Sequence, residues 1–190
     1  MSERIEYQKI AAHYPDAIEE VYEFRGDTWL FIRKERLLEV CRLLRDDPDL
    51  GYLYISDITA IDWLPYWEKG EKPKRFEVVY NLYSPVHFRR IFLKVRVDDG
   101  EPVPSVPGVW EGASYPEREV YDMFGIPFEG HPNLKRILCP TTGWGIRCAR
   151  TSPSAARKSP SPKALGVPPS RTRRTPTRAS RSRVSQGRSL

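Results

Sequence analysis

Residues 115–138, YPEREVYDMFGIPFEGHPNLKRIL, place Glu117, Arg118, Glu119, Asp122, His131, Lys135 and Arg136 close together. Carboxylates in such a group could serve as general acid and base if an apolar cleft raised one of their pKa values. The spacing argues against a matched pair. On a helix Glu117 and Glu119 point in different directions, whereas Glu119 and Asp122, three apart, share a face. Arg118 and Asp122, at i and i+4, are set for a local ion pair, and a guanidinium there would lower carboxyl pKa values. His131 has only Asp122 and Glu119 upstream, too few donors for a metal site. His13 and His87 are isolated and read as surface or structural histidines. Cys139 and Cys148 are nine apart, which fits no zinc or iron–sulfur spacing. Cys41 lies in an apolar helical stripe and reads as a small buried hydrophobe. Neither a GxGxxG nor a phosphate-binding Gly-Lys-Ser/Thr occurs. No catalytic, cofactor-binding or metal-ligating residue is therefore assigned to this chain. What remains is a docking surface, with Trp110, Tyr121, Phe124 and Phe128 as anchors and Arg–carboxylate pairs setting register. The plainer reading is a solvated short helix with core aromatics.

These residues need elements to position them. YPDAIEEVYEF (14–24) has Ile18, Val21 and Tyr22 at helical spacing, with Gly26 as a stop, and predicts a short helix. TWLFIR (28–33) reads as a strand. In 34–48, Leu37, Val40, Cys41 and Leu44 form one stripe of an amphipathic helix closed by Pro48. A strand is expected at 52–63, a polar turn at 64–75, and a hairpin from 75–84 and 89–99. In its second strand Ile91, Leu93, Val95 and Val97 line one face, with Lys94 and Arg96 on the other. Pro102, Pro104, Pro107 and Pro116 make 101–116 an extended arm with few ladder hydrogen bonds. A helix over 115–124 follows. Ser114 and Glu117 suggest a capping box, and Gly125 is the natural stop. The fold class is α+β: a single helix-covered mixed sheet at 1–100, then the Pro-rich arm and Glu-Arg-Glu segment at 101–138, then a disordered basic tail at 139–190.

That last boundary is also one of charge. Of 31 Lys and Arg, 12 fall in 139–190, together with none of the 25 Asp and Glu. Residues 1–138 thus carry 19 basic and 25 acidic side chains, with all Tyr and Phe and four of the five Trp. The first part is acidic and rich enough in aromatics to build a core; the second has little to bury. The start, MSERIEYQKI, has no apolar signal region, and no apolar run approaches the ~18 residues of a membrane span. A soluble chain in a reducing compartment is expected, with any membrane contact made through partners.

EREVYDMFGIPFEGHPNLKRIL resembles the signature of the family of C subunits of NADH-quinone oxidoreductase, which belong to the peripheral arm of respiratory complex I. Glu117, Arg118, Glu119, Asp122, Met123, Phe124, His131, Lys135, Ile137 and Leu138 match it at fixed spacing, and Gly125, Pro132 and Arg136 lie between them. The resemblance implies a subunit interface here, with Glu117, Arg118, Glu119 and Asp122 paired to charges on neighbours or bracing the Pro-rich arm, and His131, Lys135 and Arg136 at the exit toward the partner surface. ISDITAIDW, RFEVVYNLYS and VPSVPGVWEGA are also similar to the family, so the resemblance covers about 15–138. It implies a structural and assembly role in a proton-translocating complex that passes electrons from NADH through FMN and iron–sulfur clusters to quinone. The chain itself would bind no cofactor. It would dock onto the D subunit, which holds the quinone site, and the B subunit, which carries the terminal cluster, at the cytoplasmic side of the inner membrane. An equivalent component of a related hydrogenase, or of a ferredoxin- or plastoquinone-linked complex, is the alternative. A nucleic-acid-binding protein using the basic tail is a further one, although no specific nucleic acid is implied.

After Leu138 the family continues with an acidic Pro-Asp/Glu-x-Trp segment and a Pro-Leu-Arg-Lys-Asp-aromatic-Pro motif, and this chain does not. Permitted codons for Cys139 to Ser154, read again after dropping two bases, give PDDWVGHPLRKDFPI, which is the missing motif in order. The first two bases of each codon are nearly fixed by the residue, and the one codon for Trp144 is wholly fixed. The tail therefore reads as an out-of-frame translation beginning at about codons 138–139.

Overall fold

Arg25 and Gly26, with φ of 52° and 90°, form a two-residue turn in which both central residues are left-handed. That turn joins β1 (Ile18–Phe24) to β2 (Asp27–Ile32) as an antiparallel hairpin. The helix expected over 14–24 is thus a strand, and the helix α1 (Ile5–His13) lies just before it. Pairing with β2 sets Val21 against Leu30 and Tyr22 against Trp29, and this non-local pairing overrides the short helical spacing. The structure, a computed structural model, describes residues 4–139, which fall in one compact unit. Apart from Cys139, the expectations for the basic tail lie outside the described residues.

A 3-10 turn (Lys34–Arg36) leads into α2 (Leu37–Asp46), where Leu37, Val40, Cys41 and Leu44 are the buried stripe. β3 (Tyr54–Asp62), a short α3 (Leu64–Trp67), β4 (Phe76–Ser84) and β5 (Arg89–Val97) follow. The main sheet runs β1-β2-β5-β4-β3, with β2 and β5 parallel and the other neighbours antiparallel. Leu30, Val78, Tyr80, Leu82, Leu93 and Val95 are fully buried and pack with Ile10 of α1 and the α2 stripe. Glu6 anchors α1 from within: it is 1% exposed, accepts a 2.7 Å hydrogen bond from Tyr52 Oη, and lies 3.4 Å from Arg89.

The opposite sheet face roofs itself. Trp29 and Phe92 stack at 4.1 Å, Lys94 sits 4.8 Å from the Trp29 ring, and Arg96 lies 3.9 Å from that of Phe31. Glu77, buried beneath, is 3.0 Å from Lys94. Lys94 and Arg96 both lie over the Phe31 ring, and Phe31 and Val79 are buried on this face.

The Pro-rich arm lies beside α2. Arg45 Nη1 donates to Val109 O at 2.8 Å, and Trp110 Nε1 donates to Tyr52 O at 3.0 Å. Its β6 (Val103–Pro104) pairs in parallel with β7 (Phe128–Glu129), forming a separate two-stranded sheet. Between them a 3-10 turn (Glu111–Ala113) opens α4 (Ser114–Phe124), which packs on β3 at one edge of the main sheet. Gly125, at φ 79°, ends α4 in the left-handed conformation that favours glycine.

Candidate functional site: the signature helix and its braces

Glu117 is fully buried and reaches into the arm rather than capping its own helix. Its Oε2 accepts from Ser105 Oγ at 2.5 Å and its Oε1 from Val106 N at 2.7 Å. The expected capping box is therefore not formed: Ala113 occupies the N-cap in a helical conformation, with no side-chain cap. The reason is that the arm runs directly past α4 and offers Glu117 donors that would otherwise be buried unpaired. No cation pairs with Glu117 among the described residues. Burial pushes its pKa up to about 7, although the Ser105 hydroxyl and the Val106 amide pull the other way.

Asp122, 1% exposed, faces the segment after His131. Its Oδ2 accepts from the amides of Ile137, Leu138 and Cys139 at 3.0, 2.8 and 2.8 Å, and its Oδ1 lies 2.9 Å from Arg136 Nε. Burial raises its pKa, but the backbone donors outweigh it and hold the carboxyl below its usual value. The expected Arg118–Asp122 pair is replaced by Arg136–Asp122. Arg118 Nε instead donates to Lys135 O at 2.9 Å, with the guanidinium 5.5 Å from the Tyr115 ring. Glu119 is exposed, so it shares no pocket with Asp122.

His131 completes the clasp. Asn133 N donates to its Nδ1 at 2.9 Å, which leaves the proton on Nε2 to bond Ser114 O at 3.0 Å. Both ring nitrogens are thus engaged by backbone. Phe124 is half-buried against the core, and Gly125 N closes the helix on Tyr121 O at 2.9 Å. Pro132 and Lys135 are exposed. Among the described residues no group of three His, Cys, Asp or Glu could hold a metal ion, and no helix is long and apolar enough to cross a membrane.

Two carboxylates that brace opposite sides of one helix, both sealed from solvent, do not form an acid–base pair. What faces outward is Tyr115 (68% exposed), Arg118, Glu119, Lys135 and Leu138 (55% exposed). Near the helix start a groove of about 640 Å³ opens between α2 and the arm, lined by Leu38, Arg42, Pro107, Val109, Glu129 and Pro132. Ser105 and Val106, which hold Glu117, carry no signal in the sequence that marks them as its partners.

The family described as respiratory-chain NADH dehydrogenase, 30 Kd subunit, matches residues 30–155. The C subunit of NADH-quinone oxidoreductase from Roseiflexus sp. (strain RS-1) is 45% identical over 152 residues, covering 80% of this chain and 84% of that protein. Its counterpart in Roseiflexus castenholzii is 44% identical over 151 residues, 79% of this chain and 83% of that one. Among solved structures, a trypsin-resistant fragment (1–134) of Nqo5 superposes with a TM-score of 0.57 at 31% identity, over 68% of this chain and all of the fragment. A chain of the membrane-bound sulfane sulfur reductase, an archaeal respiratory membrane complex, shares the fold with a TM-score of 0.55 at 23% identity, over 70% of this chain and 74% of its own. The family signature, the shared sheet and the identity along most of the chain agree: this protein belongs to the 30 Kd subunit family of the respiratory-chain NADH dehydrogenase.

Proposed function

We propose that the chain serves as the C subunit of a proton-translocating NADH:quinone oxidoreductase, a peripheral-arm component that docks onto the quinone-site D subunit and the terminal-cluster B subunit. On this reading it binds no cofactor and takes no catalytic step itself. FMN, the iron–sulfur clusters, NADH and quinone belong to its partners. It meets the inner membrane only through the complex, on the cytoplasmic side.

One observation carries the reading. Glu117 and Asp122 direct their carboxyl oxygens into the fold, fixing the arm and the 136–139 segment to α4. Tyr115, Arg118, Glu119, Lys135 and Leu138 then stand outward on a braced scaffold. An aromatic, an aliphatic and both charge signs on a rigid support suit a protein interface, where preorganisation lowers the entropy lost on docking.

Glu119→Lys tests this most cleanly, because Glu119 is exposed and no partner engages it among the described residues. Its folding stability should change by less than ~0.5 kcal/mol. Arg118→Ala, which also loses the bond to Lys135 O, should cost about 1 kcal/mol. Both variants should still unfold cooperatively, yet yield less assembled peripheral arm and less NADH:quinone activity. An intact arm with normal activity in both would refute the role.

A further inference from the structure

β1 is the outermost strand of the main sheet, and among the described residues no strand lies on its outer side. The other edge, β3, is covered by α4. In an antiparallel pair alternate residues turn their N–H and C=O groups away from the partner, so β1 offers a row of main-chain groups to a further strand.

Both faces beside that edge are shaped for side chains. On one, a groove of about 560 Å³ runs between α1 and β1, where Glu19, Glu20 and Glu23 stand beside Tyr7, Ile18 and Val21. On the other, Tyr22 and Phe24 are 51% and 52% exposed, with rings 6.3 Å apart and 14° from parallel. The strand is acidic. Residues 15–24 hold Asp16, Glu19, Glu20 and Glu23 and no basic residue, with Arg25 at the turn 5.0 Å from the Phe24 ring. Among the described residues Glu19 and Glu20 share one cation, Arg96, at 3.7 and 2.5 Å. A second copy of this edge would set these carboxylates against their like.

We propose that the β1 edge is a docking site for an extended, Lys- or Arg-rich segment of a partner protein, added as a sixth strand with its basic side chains over the α1–β1 groove and its apolar side chains against Tyr22 and Phe24. Main-chain pairing supplies the affinity and the carboxylates select the sign of the partner. Because α4 lies on the opposite edge of the sheet, this contact is separate from the signature surface and stands or falls without it.

Amide hydrogen exchange of the 190-residue chain tests the proposal, with an extended peptide of alternating Lys and Val as probe and its Glu-for-Lys counterpart as control. The β1 amides bonded to β2 report that the strand is folded; the outward amides report docking. With the Lys peptide the outward amides should slow by about tenfold or more, and the Glu peptide should leave them unchanged. Glu19→Lys together with Glu23→Lys should abolish the slowing while the inward amides stay protected. Equal effects of both peptides, or no slowing, would overturn the proposal. So would outward amides already protected in the free chain, whether released by dilution, which would indicate a second copy, or by deletion of 140–190, which would indicate the chain's own basic segment.

Discussion

Glu117 and Asp122 lie five residues apart on one helix, and their surroundings drive their titration in opposite directions. Asp122 has more donors than burial can offset, so it contributes stability above its unfolded pKa of 3.8 that is lost as pH falls below it. Glu117 has two donors and, among the described residues, no cation, so burial prevails. The fold keeps its proton up to about pH 7, whereas the unfolded chain releases it near 4.5. Between those values the unfolded state binds fewer protons, so stability falls as pH rises. A shift of this size corresponds to an effect on the order of 3 kcal/mol. Glu117→Gln keeps an acceptor for the Val106 amide and a polar partner for Ser105, and it cannot ionise. Urea denaturation at pH 4.5 and 7.5 should therefore show a steep loss in the parent chain and a much smaller one in the variant. Equal slopes would mean that the buried carboxyl ionises without cost.

At the scale of elements, the β1–β2 hairpin depends on Gly26. Its φ of 90° strains any L side chain, while no atom lies within 4 Å of where a Cβ would stand. The cost of Gly26→Ala is then one of backbone alone, about 1 kcal/mol, and Gly26→Asn should cost less. Thermal melts of the two variants check this, and equal midpoints would place the strain elsewhere. The same turn explains what the sequence hid. An Arg-Gly pair is a weaker hairpin signal than Asn-Gly, and Ile18, Val21 and Tyr22 fit a helix until Trp29 and Leu30 are seen opposite them. By contrast, the strict alternation of Ile91, Leu93, Val95 and Val97 and the stripe Leu37, Val40, Cys41 and Leu44 each bury one face through a local period, so both elements were legible. The α4 boundaries were legible from Pro116 and Gly125. Its contacts were not, because Ser105, Val106 and Arg136 lie 11 to 14 residues from their partners or arrive through the β6–β7 pairing. The residue types of the candidate site could be read from spacing, whereas the inward or outward aim of each carboxylate is set by those non-local neighbours.

At the scale of the whole molecule, the change of character after Leu138 meets a structural constraint at residue 139. Two repairs bring the codons that follow into the frame of PDDWVGHPLRKDFPI. Removing the first two bases of the Cys139 codon puts Pro at position 139. Adding one base before that codon gives a triplet ending in TG, which encodes Leu, Met or Val. Position 139 is 8% exposed, and its amide is one of three that donate to Asp122, at 2.8 Å. Proline has no amide hydrogen and would leave Asp122 short of a donor, at a cost of about 1 kcal/mol. Leu, Met or Val keeps the amide and offers an apolar side chain to the buried site. A single missing base is therefore the expected repair. Deep sequencing of the genomic DNA across codons 130–160 should return one base more than the translation implies. A chain repaired with an aliphatic residue at 139 should also resist urea better than one repaired with proline. Genomic bases that stand as translated would overturn the frameshift, and the basic segment 139–190 would then be a product encoded by the organism, attached to an acidic body that folds by the same rules.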